Sequence, residues 1–272
     1  MSTINTNVNA LFAQNALKVN DRSLTKAMQQ LSTGSRVNSS GDDAAGLAIG
    51  TSMTAQIRGL NQAVRNANDG ISMLQTAEGA MVEQTNMLQR MRELAVQATT
   101  STYNTTQLGY LDTEFQALDT QISNIATNTK WNGTTVLSSA TTQSFVVGSA
   151  GSETITVNLA STDNTASGLA TTALAVSSAA SAAAAVTAID TALASISSAR
   201  AKIGAGINQL TYAADNLTNV SQNLTASRSQ ILDTDYATAT TQLARSQIIQ
   251  QAATAMLAQA NQQPQTVLAL LK

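Results

Sequence analysis

From Met53 the apolar positions fall at Met53, Ile57, Leu60, Val64, Ala67, Ile71 and Leu74, alternating steps of four and three, and the pattern continues through Met81 and Leu88. That spacing is a coiled-coil seam, with polar interruptions expected at Glu78 and Thr85. It predicts one helix from about Asp43 to about Gln97, on the order of 80 Å long at 1.5 Å per residue. Leu108, Leu111, Phe115, Leu118, Ile122 and Ile125 repeat the spacing, as do Ile203, Ile207, Leu210, Ala214, Leu217, Leu224 and Ile231. Three helices can therefore share one seam. At the ends, Ala10, Leu17, Leu24 and Leu31 recur every seven residues, and Ile249, Ala253, Met256, Ala260, Val267 and Leu270 fit one helical face. Neither terminal stripe can be buried alone, so the ends, about residues 1–40 and 235–272, are expected to lack an intrachain core, to be mobile in the monomer and to become helical only in the polymer.

Between these helices the period changes. "NTKWNGTTVL" places Asn132-Gly133, a tight-turn signal, beside Trp131, the only indole, which is read as packing rather than as a ligand contact. "QSFVV", "GSAGSE" and "TITVNL" read as two short strands around a Gly/Ser turn. The stretch that follows, rich in Ala, Ser and Thr, reads as loop or weak helix. The break at "LSTGSRVNSSGDDAAGLAIG" separates the first two helices. Gly34 can take the left-handed conformation that closes one helix, and Ser40, Asp42 or Asp43 can cap the next, with Arg36 close enough to pair with the carboxylates.

Composition sharpens this picture. Of 272 residues 43% are hydrophobic but only 3% aromatic, which suits helices packed closely through Ala, Leu, Ile and Met. The chain has no His and no Cys. This removes the imidazole base, the thiol nucleophile, the disulfide and the usual ligands of structural zinc, so no catalytic group, cofactor or metal is expected. "GSRVNSSGDDAAG" lacks both the P-loop ending and a calcium-loop series. The carboxylates Asp42, Asp43, Glu78, Glu83 and Glu93 read as caps and solvated helix faces.

Charge is partitioned. Residues 1–35 and 236–272 together hold five basic groups and one acid, whereas the middle holds nine basic and fifteen acidic groups. The nearly charge-free ends read as helices meant to be surrounded by other chains. "MSTINTNVNALFAQ" has neither the basic start nor the apolar core of a cleavable leader, and no uninterrupted apolar run approaches a membrane span. Neither a membrane span nor nucleic-acid binding is expected.

Several blocks also carry a family resemblance. "LSTGSRVNSSGDDAAGLAIG", "QAVRNANDGISMLQTAEGAM", "QRMRELAVQA", "WNGTTVL" and "AMLAQANQQPQTVLALL" closely resemble the terminal blocks of bacterial flagellins, in the right order at both ends. The resemblance implies a mainly α fold: an elongated antiparallel coiled-coil rod with paired N- and C-terminal helices and a small β-hairpin region. It divides the chain into an inner-tube helix and connector at 1–42, rod segments at 43–137 and 186–231, a variable insertion at 138–185, and a second inner-tube helix at 232–272. The implied function is the self-assembling subunit of the flagellar filament, exported through the flagellar type III apparatus, with a hook-filament junction protein as the alternative.

On this reading Leu17, Leu24, Leu31, Ile249, Met256, Leu257, Val267 and Leu270 build the inner tube, and Gly34, Arg36, Asp42 and Asp43 form the connector. Implied partners are further copies of the chain, hook-associated and filament-cap proteins, an export chaperone covering residues 231–272, and the vertebrate Toll-like receptor for flagellin. If Met91 faces the seam, steps of 100° bring Leu88, Leu94, Ala95 and Ala98 to the same side and put Gln89 and Glu93 opposite. The resemblance assigns the receptor contact to Arg90, Leu94 and Glu114, with Gln89 and Glu93 on the open face.

Overall fold

The computed structural model describes residues 7–165 and 168–270, with side chains described as far as residue 262. It is mainly helical, 73%, with two small antiparallel hairpins. Five helices are present among the described residues: α1 Val8–Thr33, α2 Ala44–Ala98, α3 Thr105–Asn128, α4 Ala179–Leu232 and α5 Tyr236–Leu270. Between α3 and α4 lie β1 Lys130–Trp131 paired with β2 Thr134–Thr135, and β3 Thr141–Val146 paired with β4 Thr154–Leu159. Asn132 and Gly133, both at positive φ, make the first turn, as the Asn-Gly signal requires.

The chain divides into two compact units. One comprises Met1–Ala55 and Asn223–Lys272, the other Gln56–Gln222. Both divisions fall inside long helices, α2 and α4, and not at the connectors that the residue pattern marks most visibly. Helix α4 begins at Ala179, inside the stretch expected to be a variable insertion, because its seam of Ala182, Ala185, Ile189 and Ala192 extends the heptads upstream.

The second unit is organised by that seam. On α2 the buried positions run Leu74, Ala77, Met81, Gln84, Leu88, Met91, Ala95 and Ala98, steps of three and four throughout. The interruptions expected at Glu78 and Thr85 are therefore absent from the buried row. Strict 3.5-residue spacing places the small Ala77 and the buried Gln84 at those levels, and leaves Glu78 at the margin, 3.6 Å from Arg200 of α4. On α4 the buried row runs from Ala182 through Ile196, Ile203 and Gly206 to Leu217. Salt bridges from Arg92 to Asp190 and from Arg200 to Glu78 tie α2 to α4. Phe115 and Ile122 of α3 are fully buried.

The β3–β4 hairpin lies against the helices where they carry glycine. A Cβ at Gly70 would come within 2.7 Å of Phe145, and one at Gly206 within 2.6 Å of Val157, so only glycine lets the hairpin approach this closely. Gln84 donates to the carbonyls of Ile122 and Thr162, joining α2, α3 and the following loop. Part of α4 is long and apolar enough to cross a membrane by length and composition. Its apolarity is largely alanine, and its seam positions are buried within the bundle.

Candidate assembly surface

Helices α1 and α5 pair with each other in the first unit. On α1 the inward positions are Ala10, Ala13, Leu17, Asn20, Leu24, Ala27 and Leu31, and of these only Asn20 and Ala27 are buried. On α5 the inward positions are Ala239, Leu243, Ser246, Gln250, Ala253, Leu257 and Ala260, of which Ala239 and Ser246 are buried. The terminal stripes thus have an intrachain partner, contrary to the expectation that they lack one. The core they form is thin, however, because its deepest residues are two alanines, an asparagine and a serine.

Leu17, Leu24 and Leu31 lie half-buried on the inward face, and Leu257 does the same on α5. Ile249 and Met256 do not. They stand one position before Gln250 and Leu257, about 100° round the helix, and are exposed, Met256 at 67%. The residue pattern drew one stripe through them and through Ala253 and Ala260, which face inward, because α5 is apolar around much of its circumference and two rotational phases fit the same period. Val267 and Leu270 belong to α5, but their side chains lie outside the described residues.

The outward residues create a surface of their own. Phe12, 73% exposed, lines an apolar groove of about 620 Å³ together with Ala16, Ile249, Ala252 and Met256. Val8, Leu11, Val19 and Met28 on α1 and Ile248 on α5 are also exposed. Burying a side chain of this size is worth about 1.5–3 kcal/mol, so a second layer of apolar packing is left unmade by the chain alone.

The connector between α1 and α2 holds the base of this pair. Gly34 takes the left-handed C-cap, φ 71°, and its N–H bonds to the carbonyl of Gln30. Of the three cap candidates, Asp43 caps α2, accepting the N–H of Gly46 at 2.8 Å. Asp42 is instead 2.8 Å from Lys26 and accepts from the N–H groups of Asn38 and Ser39. The Lys26 ammonium and these donors hold its pKa down at about 2. Ser40 makes no N-cap. Arg36 lies 3.8 Å from Asp43, and its stronger bond, 2.6 Å, goes to the carbonyl of Ile231. The Arg36 N–H also donates to the carbonyl of Leu232, and the Thr234 N–H to that of Gly34, so a short backbone bridge joins the two connectors. No residue pattern announces that bridge, since backbone groups make it.

On α2 of the second unit, Arg90 reaches two carboxylates. Its guanidinium lies 3.0 Å from Glu93 and 2.9 Å from Glu114 of α3, and both raise its pKa above the ordinary arginine value, the hydrogen bond to Glu93 being the largest cause. Gln89, Arg90, Glu93 and Glu114 are exposed, whereas Met91, Leu88, Ala95 and Ala98 are buried. Leu94 departs from the receptor contact that the resemblance assigns to it. At 1% exposed it is interior, since it shares the buried face with Ala95 and Met91, and no partner can touch it in this state.

Long heptad helices, a thin terminal pair and an unused apolar face around that pair define a coiled-coil protein built to associate with further chains. Comparison with known proteins gives the class a family. Residues 4–142 match the bacterial flagellin N-terminal helical region, and residues 186–271 match the C-terminal helical region. Flagellin of Halalkalibacterium halodurans is 44% identical over 270 residues, covering 99% of each chain, and flagellin of Bacillus subtilis is 39% identical over 302 residues with the same coverage. The crystal structure of Bacillus cereus flagellin superposes with a TM-score of 0.50 at 31% identity, over 60% of this chain and 94% of that one. A chain from Vibrio parahaemolyticus assigned as a flagellar hook-associated protein gives a TM-score of 0.61 over 71% of this chain and 100% of its own, but at 14% identity that likeness concerns the fold alone. The chain belongs to the bacterial flagellin family and is a structural, non-enzymatic subunit of the bacterial flagellar filament. Membership implies self-assembly into that filament, outside the cell.

Proposed function

We propose that the outward faces of α1 and α5 are the surface through which successive copies pack in the innermost layer of the filament, with the heptad bundle of the second unit forming a rod layer around it. The observation that carries this reading is the groove beside Phe12, Ile249 and Met256, an apolar surface that the chain does not cover itself. The scarcity of charge on α5, where Arg245 is the one charged residue of Tyr236–Leu270, supports it, because side chains facing other subunits cannot keep ions solvated. Leu17, Leu24, Leu31 and Leu257 hold the pair together. Met256 and Ile249 serve between copies.

The finer partners follow from the same faces. Export takes the flagellar type III route, and a chaperone covers residues 231–272 until release, shielding the apolar face from early polymerisation. Hook-associated and filament-cap proteins meet the same terminal helices at the two ends of the polymer. The vertebrate Toll-like receptor for flagellin reads the exposed side of α2 and α3 through Gln89, Arg90, Glu93 and Glu114.

Elongation decides the main point. Purified chain added to sheared filaments should extend them without limit. A single added layer that then blocks growth would reject the subunit role in favour of a hook-filament junction role.

A further inference from the structure

We propose that Asn7 and Pro264 act as a coupled pair: the proline frees the carbonyl of Ala260 inside α5, and the Asn7 carboxamide takes it up while capping α1. Pro264 is the only proline of the chain and lies within α5. A proline has no N–H, so the bond that residue 264 would donate to the carbonyl four residues back, that of Ala260, cannot form. The helix continues to Leu270 with that one acceptor left for another partner.

The Asn7 side chain meets it. Its Nδ2 donates to the Ala260 oxygen at 2.7 Å, and its Oδ1 accepts the N–H of Ala10 at 3.1 Å as the N-cap of α1. One carboxamide thus satisfies an orphan donor at the start of one helix and a freed acceptor inside the other. The task suits asparagine among the favoured cap residues. Ionised aspartate only accepts, and serine is too short to serve both groups.

This tie bears on assembly, and that part rests on the function proposed above. Ala260 lines the same groove as Phe12, Ile249 and Met256, at a half-buried position where water can reach the free subunit. Once a second copy covers the groove, water is shut out, and an acceptor without a partner loses its hydration uncompensated. Asn7 makes this end of the groove fit for burial.

A double-mutant cycle in the full-length chain measures the coupling. Asn7→Ser and Asn7→Asp both keep a cap acceptor and lose the Nδ2 donor, so a residue that merely caps α1 would tolerate them. On the proposal each should speed amide hydrogen exchange over residues 10–19 of the subunit by about fivefold, the worth of one net hydrogen bond. Pro264→Ala returns an N–H to the Ala260 carbonyl from within α5. In that background the same two substitutions should change exchange by less than about twofold.

Equal acceleration in both backgrounds would make Asn7 a plain cap with an incidental bond, and would overturn the proposal. So would no acceleration in the native background, or a native subunit without protection over these residues. Exchange is read on subunits, so it does not depend on whether filaments elongate. Seeded elongation tests the groove separately: Asn7→Ser should need about fivefold more subunit than the native chain to grow at the same rate. Unchanged growth beside a positive exchange cycle would leave the tie standing and remove its consequence for assembly.

Discussion

Asp43 Oδ1 accepts the backbone N–H of Gly46 at 2.8 Å, and a Cβ at Gly46 would collide with the same carboxylate. Cap and glycine fit together: the carboxylate satisfies an orphan donor of α2, and a side chain at the third helical position would force it to shift. Asp43→Ala should destabilise the first unit by about 1 kcal/mol, and Asp43→Ser, which keeps an acceptor, by less. Urea unfolding followed by helix content measures both. Equal stability in all three proteins would show that the cap contributes nothing.

Asp42 carries the connector's pH dependence. Its pKa is held at about 2 by Lys26 first, then by the N–H groups of Asn38 and Ser39, against an ordinary value of 3.8. A carboxylate with a depressed folded pKa stabilises fully above the unfolded value and loses that contribution as pH falls through the folded one. Hydrogen exchange at residues 34–43 should therefore be protected at pH 5 and accelerate between about pH 4 and pH 2. In Asp42→Asn the acceleration tied to this group should vanish; its persistence there would assign the effect to other carboxylates.

Carboxylates placed on the two faces of the terminal pair should have different effects. Leu24→Asp and Leu257→Asp put a charge on the inward rows, where an unpaired buried charge costs several kcal/mol, and both should loosen the pair in the free subunit. Met256→Asp sits in the outward groove and should leave the helix content of the subunit unchanged while stopping filament elongation. Circular dichroism and seeded elongation give the two readouts. Normal elongation by Met256→Asp would mean that the groove is not a contact between copies.

Two glycines of α2 should respond in opposite directions to the same change. Gly70→Ala drives a methyl to 2.7 Å from the Phe145 ring, and overpacking of this kind costs about 1–3 kcal/mol. Gly79 faces open space, so Gly79→Ala should gain about 1 kcal/mol from helix propensity alone. Chemical unfolding of the second unit should order the three proteins Gly79→Ala, native, Gly70→Ala. Any other order would mean that the β3–β4 hairpin does not press on α2 as described.

The helices were legible because their signal is periodic and local. The expected span from Asp43 to Gln97 meets an observed Ala44–Ala98, and both hairpins stand where turn chemistry put them. Helical phase was less legible. Where one face is much more apolar than the rest, as at Met81, Leu88 and Met91, the seam could be read directly; on α5, where Ile249, Gln250, Met256 and Leu257 offer two nearly equal stripes, it could not. Buried polar residues were missed for a related reason. Gln84, Asp119 and Asn20 look like solvated positions until a carbonyl or an amide from another segment, such as Thr162, Asn164 or Ser246, is brought beside them.

On the receptor role proposed above, recognition of the subunit turns on the charged face of α2 and α3. Arg90 is exposed but already engaged by Glu93 and Glu114, so a partner must compete with two carboxylates or read the whole cluster as a unit. Exposed pairs of this kind contribute little to folding, and Arg90→Ala and Glu114→Ala should leave the thermal stability of the subunit nearly unchanged. Binding should fall in both, more steeply in Arg90→Ala, which removes a planar donor able to grip a carboxylate through two hydrogen bonds. Leu94→Ala should act differently. Leu94 is interior, so its truncation should lower stability by about 2–5 kcal/mol and reduce binding only through loss of structure. Receptor binding by the three variants, each checked for helix content, measures this, and on the proposed packing of copies filaments should bind less than monomers. Equal binding by native, Arg90→Ala and Glu114→Ala monomers would remove the cluster from the receptor site.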